Sequence, residues 1–207
     1  MRSLIRLERP AQGEPEGALV LLHGRGADEH DLYPFLDLLD PERRLLGVTA
    51  GGPLSLPPGG RHWYIVQRVG FPEPETFASS YALLQAELDV PWERTIVGGF
   101  SQGAVMAYAL GLGERRPSPA GIIGMSGFIP TVPGTWAPDL DRPGLPVWIA
   151  HGRRDPVIDV GFGRRAQEAL RDAGLAVEYH ESDAAHHVDP RSLAELPGWV
   201  GRVLSAL

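Results

Sequence analysis

A serine hydroxyl is a poor nucleophile at neutral pH, so one that does chemistry needs a base, and the base needs an acid to orient it. The chain offers those residue types at three separated places. "GGFSQGAV" (98–105) sets Ser101 inside G-x-S-x-G, "HGRRDPVI" (151–158) carries Asp155, and "DAAHHVDP" (183–190) carries His186 and His187. Gly99 and Gly103 stand two residues either side of the serine. A nucleophile on a strand-to-helix corner adopts strained backbone angles, and strand and helix crowd at those two positions, where a side chain would collide. A serine that only capped a helix would explain neither glycine.

Acyl transfer also needs two N–H donors aimed at the oxyanion of the tetrahedral intermediate. The main chain of Gln102, at the start of the next helix, is one candidate. The other belongs to the glycine-rich stretch "LLHGRGAD" (21–28), where Arg25 or Gly26 could offer its amide; the main chain of Arg25 is preferred. No G-K-S/T follows these glycines, so a phosphate-cradling loop is excluded. His23 reads as structural, and His30 and Asp31 as caps for a following helix. Adjacent histidines seldom face one ion, so no metal is expected at the His186–His187 pair. The absence of cysteine excludes disulfides, thiolate metal sites and a cysteine nucleophile.

These residues must be carried by a frame. Short apolar runs at 17–24, 44–50, 94–100, 120–127, 145–152 and 175–181 predict strands covered on both faces. Segments near 76–89, 102–113, 160–173 and 191–206 carry helical periodicity. This alternation predicts an α/β fold: a mainly parallel sheet of about seven strands, helices on both faces, and "SLIRLE" as an antiparallel edge. Ser101, Asp155 and the histidine pair then all follow strand ends, where open α/β sheets bind ligands. The loops 51–75 and 128–144 are rich in glycine, proline and aromatics and are expected to wall the pocket. Trp63, Tyr64, Phe71 and Phe128 are its candidate acyl-binding residues, with core packing the competing fate of each.

At 207 residues the chain is expected to form one domain, 1–207. Its formal charge of −7 argues against nucleic acid as a partner. No apolar run reaches the roughly 18 residues of a membrane span, which argues against stable membrane insertion. "MRSLIRLERP" lacks the apolar core of a secretory signal, so a cytoplasmic location is expected. Lysine and asparagine are absent, which a GC-rich coding sequence explains, with avoidance of heat-labile residues as the alternative.

Taken together, "LLHGRGADEHDL", "GPLSLPPGGRHWY", "GGFSQGA", "HGRRDPVI" and "AHHVDP" resemble the phospholipase/carboxylesterase family of α/β-hydrolases, in family order from residue 21 to 190. The resemblance implies a compact α/β-hydrolase fold without a large cap, acting on a small-molecule ester or thioester without a cofactor. It implies Ser101 as nucleophile, Asp155 as acid, His186 as base, and the main chains of Arg25 and Gln102 as the oxyanion hole. The family has glycine before its catalytic histidine, where this chain has Ala185; a one-residue shift would make His187 the base, but "VDP" keeps register with His186. The expected activity is that of a serine carboxylesterase on small to medium-chain esters. Lysophospholipase or acyl-thioesterase activity on longer chains is the alternative within enzymes, and a non-catalytic ligand- or protein-binding module is the alternative outside them. A homodimer is left open.

Overall fold

In chain order the elements are β1 (Ile5–Arg9), β2 (Ala18–Leu22), α1 (Tyr33–Leu39), β3 (Leu46–Gly51), the short pair β4 (Leu54–Ser55) and β5 (Arg61–His62), a second hairpin β6 (Val66–Arg68) and β7 (Phe71–Pro72), then α2 (Pro74–Glu87), β8 (Thr95–Phe100), α3 (Gln102–Leu112), β9 (Gly121–Met125), β10 (Pro146–Gly152), α4 (Val160–Asp172), β11 (Ala176–Ser182) and α5 (Pro190–Ser205). The structure is a computed structural model and describes residues 3–114 and 116–207.

Seven strands form the central sheet in the order β1-β3-β2-β8-β9-β10-β11. Only β1 runs antiparallel, against β3. The other neighbours pair in parallel. Strands β2 and β9 are buried at every position, as strands covered on both faces must be, and this explains their unbroken apolar runs. One core packs α2, α3 and α4 against the sheet around Trp63, Phe77, Tyr108 and Leu170. A second packs α1 and α5 against the opposite face around Leu36, Trp148 and Trp199. The fold is therefore that of an α/β-hydrolase with no large cap.

Helix α3 is buried along its whole length, which suits a sequence with almost no polar residue after Gln102. Helices α2 and α5 start on proline. Glu73 and Asp189 cap them, their carboxylates accepting main-chain N–H bonds from the first turn.

Two expectations need correction. Helix α1 was not among the helical segments read from the periodicity, because at seven residues it is too short to display one. Its N-cap is Leu32, without any side-chain cap bond, so His30 and Asp31 do not cap it. Asp28 instead accepts the His30 N–H at 2.9 Å in a local turn. The loop 51–75 folds into the hairpins β4–β5 and β6–β7.

The parallel strands all point the same way, so the segments after β2, β8, β9, β10 and β11 gather along one edge of the sheet. Arg25, Ser101, Gln102, Asp155, His186 and His187 all lie on them.

Candidate active site

Ser101 is the hinge between β8 and α3. Its backbone stands at φ 54°, ψ −118°, in a region that side-chain-bearing residues rarely occupy. The surroundings hold it there. Its N–H donates to Met125 O at 2.9 Å, and its carbonyl accepts from Val105 N at 3.2 Å. A Cβ at Gly99 would collide with the main chain of Gly103 and with the Leu22 carbonyl, and one at Gly103 would collide with the Leu22 and His23 carbonyls. The two glycines thus let β2, β8 and α3 meet backbone to backbone beneath the serine.

The hydroxyl is not spent on capping α3. It lies 2.9 Å from His186 Nε2. On the other side of that ring, His186 Nδ1 is 2.6 Å from Asp155 Oδ2. A carboxylate only accepts, so Nδ1 carries the proton and Nε2 presents its lone pair to the hydroxyl. Asp155 Oδ1 accepts the N–H groups of Val157 and Ile158 at 2.8 and 2.9 Å. Both oxygens of this buried carboxylate are therefore hydrogen-bonded.

The aspartate and histidine loops are zipped together at their bases. Arg153 N–H donates to Ser182 O at 2.7 Å and Arg154 N–H to Ala184 O at 3.1 Å. Gly152 leaves room for the carbonyls of Ala184 and Ala185, which a Cβ would strike. The Phe100 ring backs the imidazole of His186, with centroids 4.9 Å apart. Ala185 is absent from the positive-φ residues, so alanine serves where the family pattern has glycine. His187 is exposed and lies outside this hydrogen-bonded chain.

The loop after β2 leans over the serine. A Cβ built on Gly24 would sit 3.4 Å from Ser101 Cβ. His23, buried at the loop's root, donates from Nδ1 to Gly24 O at 2.6 Å and accepts the Gly52 N–H on Nε2 at 2.9 Å. Burial holds its pKa below the usual histidine value. The Gly26 N–H is engaged by Arg61 O at 2.8 Å. Neither the Arg25 nor the Gln102 main-chain N–H donates to any acceptor among the described residues, so both remain free for a ligand.

The four aromatic residues divide between the two fates open to them: Trp63, Tyr64 and Phe128 pack in the core, and Phe71 lines a cleft. Trp63 and Tyr64 are 0% and 2% exposed and belong to the core, so they do not line an open pocket. Their main chain is tied to the neighbour of Ser101: Gln102 Oε1 accepts Trp63 N–H at 3.0 Å, and Gln102 Nε2 donates to Tyr64 O at 2.9 Å. Trp63 Nε1 also donates to His23 O at 2.9 Å. Phe128 is buried as well, with its ring 5.3 Å from that of Phe162. Phe71, 38% exposed, does line an open apolar cleft of about 440 Å³ with Ile129, Leu140 and Phe162. The side chain of Gln102 was missed by sequence reasoning, because G-x-S-x-G says nothing about what its fourth residue touches.

Asp28, Glu29 and His30 carry donor atoms within 4.8 Å of one another, the one grouping among the described residues that could hold a metal ion. Their recorded partners are protein groups: His30 for Asp28, and Arg61 for Glu29 at 3.6 Å. Among the described residues no helix is long and apolar enough to cross a membrane.

Fold and site together define an α/β-hydrolase. A profile of the Phospholipase/Carboxylesterase family matches residues 8–201, and the chain belongs to that family. It is thus a carboxylic ester hydrolase of the serine-hydrolase type. Esterase YpfH of Escherichia coli is 30% identical over 201 residues, covering 90% of this chain and 81% of that protein. Acyl-protein thioesterase 1 of Debaryomyces hansenii is 26% identical, covering 91% and 92%. Among solved structures, the Bacillus cereus carboxylesterase superposes with a TM-score of 0.82 at 20% identity, over 97% of this chain and 94% of that one.

Proposed function

We propose that this protein is a serine carboxylesterase for small to medium-chain esters, with Ser101 as nucleophile, His186 as general base and acid, and Asp155 as orienting carboxylate. The observation that carries the proposal is the unbroken chain from Ser101 Oγ to His186 Nε2 (2.9 Å) and from His186 Nδ1 to Asp155 Oδ2 (2.6 Å). Substrate binding sets the ester carbonyl carbon against Ser101 Oγ. As Oγ attacks, Nε2 takes its proton, and Asp155 stabilises the resulting imidazolium without itself becoming protonated. The tetrahedral oxyanion rests on the main-chain N–H groups of Arg25 and Gln102, which have no other acceptor among the described residues. Collapse expels the alcohol, which receives the proton from Nε2. Water, activated by the same nitrogen, then hydrolyses the acyl-enzyme.

Two tests decide between readings. A fluorophosphonate should label Ser101 in the folded protein and abolish esterase activity. Absence of an adduct there would favour a non-catalytic binding module. A series of p-nitrophenyl esters of increasing acyl length should show the highest kcat/KM among the shorter chains. The second reading, hydrolysis of longer acyl esters or thioesters, is favoured by the apolar cleft beside Phe71 and by the similarity to acyl-protein thioesterases. A kcat/KM that climbs steadily with chain length would support it.

A further inference from the structure

His151 is the last residue but one of β10, and its side chain is fully buried beside the carboxylate of Asp155. The sequence places it in the same block as the aspartate, but neither the triad nor the oxyanion hole uses it. Its Nε2 lies 2.8 Å from the Ile158 carbonyl. A carbonyl only accepts, so Nε2 carries the proton. The same N–H edge stands 3.7 Å from Asp155 Oδ2, the oxygen that faces His186, which is beyond hydrogen-bond distance. The opposite nitrogen, Nδ1, is buried with no hydrogen-bond partner among the described residues. It lies against α4 at Gly163, where a Cβ would come within 2.7 Å of it. A second proton on this ring would therefore be buried without an acceptor, and the ring serves as a neutral donor.

We infer that His151 is a positioning residue that clamps the Asp155–Ile158 turn through the Ile158 carbonyl and so aims Oδ2 at His186. Ile158 is held at both ends: its N–H binds Asp155 Oδ1 and its carbonyl binds His151. Without the histidine bond, the turn keeps the two bonds of the carboxylate it is meant to hold and one longer main-chain bond, from Asp155 N–H to Gly152 O at 3.3 Å. Gly163 is part of the same device, since its missing side chain is the seat of the imidazole. The inference rests on the triad reading above. Besides Asp155 and His186, the charged and titratable side chains of the two loops that carry them are Arg153, Arg154 and Asp159 after β10, and Asp183, His187 and Asp189 after β11. Arg153 is 3.1 Å from Asp183, and Arg154 donates to the Asp183 carbonyl.

The test compares His151→Leu, His151→Gln and Gly163→Ala with the parent enzyme and with Ser101→Ala, on a p-nitrophenyl ester across pH. Thermal unfolding is followed alongside. Misplacing a reacting group by about 1 Å can cost roughly 100-fold, so His151→Leu is expected to lose 10- to 100-fold in kcat with KM within about twofold. Its acid limb of kcat/KM should move to lower pH, because His186 loses the hold of the carboxylate. Gln can still donate to Ile158 O, so His151→Gln should recover most of kcat and the original limb. Gly163→Ala, which displaces the ring, should reproduce the loss if the leucine variant does not fold. Folded His151→Leu or Gly163→Ala with parental kcat and limb would overturn the inference, as would a limb that moves to higher pH. An active Ser101→Ala would overturn the triad reading instead.

Discussion

Gly103 lies so close to the Leu22 carbonyl that no Cβ fits between them, and the clash would be with the main chain of a central strand. Neither β2 nor α3 can give way without moving Ser101. Gly103→Ala is therefore expected to lose about 3 kcal/mol of stability, at the upper end of overpacking costs, and to lower kcat as Gln102 N–H shifts. Urea unfolding of the purified variant measures the first effect. An unchanged midpoint would mean that the close approach of strand and helix is not what this glycine serves.

Ser101→Ala removes the proposed nucleophile without touching the bonds that hold its backbone. Turnover should fall by about 10⁴-fold or more, since members of a triad act as a unit. The melting temperature should stay close to that of the parent. Residual activity above a hundredth of the parent rate would shift the chemistry elsewhere.

Asp155→Asn keeps an oxygen for the Val157 and Ile158 N–H groups, so the turn is expected to survive. Its amide, turned toward His186 Nδ1, would favour the wrong imidazole tautomer and leave Nε2 protonated. A loss near 10⁴-fold in kcat is expected, with little change in KM. Steady-state kinetics on one soluble ester suffice to check it.

Gln102→Ala would strip the Trp63 N–H and the Tyr64 carbonyl of their partners in a buried place. Each such orphan costs about 1–3 kcal/mol, so a drop of at least that size is expected in chemical denaturation. The main-chain N–H of residue 102 remains, and kcat should fall far less than in Ser101→Ala. An equal fall in both would mean that the side chain takes part in the chemistry.

His23 makes folding pH-dependent in a defined direction. Burial lowers its folded pKa below the unfolded value of 6.5. As pH falls below that value the unfolded chain takes up a proton that the folded one refuses, so stability is full above it and declines toward the depressed folded pKa. Protonating Nε2 also removes the acceptor for Gly52 N–H and frees the loop that carries Arg25. Unfolding midpoints measured between about pH 7.5 and pH 5 should fall in the parent and fall less in His23→Gln. Parallel slopes would remove His23 from this role.

Much of this architecture was legible because its signals are local. All six strand segments, with the amphipathic "SLIRLE", take their places in the sheet, and five of them are largely buried. The sixth, β11, is not covered on both sides as expected, because it is an edge strand with no fully buried residue. The glycines around Ser101 betray close backbone approach because nothing else at those positions would fit. Helix α1 was illegible, since its two turns have no N-terminal capping side chain and are held by burial of Leu36 and Leu39 and by the distant Arg9, which donates to the Leu36 carbonyl at 2.9 Å. The aromatics of the 51–75 loop were ambiguous for a similar reason. A tryptophan looks the same in a sequence whether it walls a cleft or, like Trp63, fills a core.

Sequence alone determined the alternation of strands and helices, the glycine-flanked serine corner between strand and helix and the residue types able to form a triad, because each depends on neighbours within a few positions. Tertiary structure decided which of two adjacent histidines meets Ser101, that Gln102 braces the Trp63 segment, and that His151 stands behind Asp155. Those outcomes depend on the angle at which loops after separate strands converge, which is set by sheet twist and packing and by no single stretch of chain.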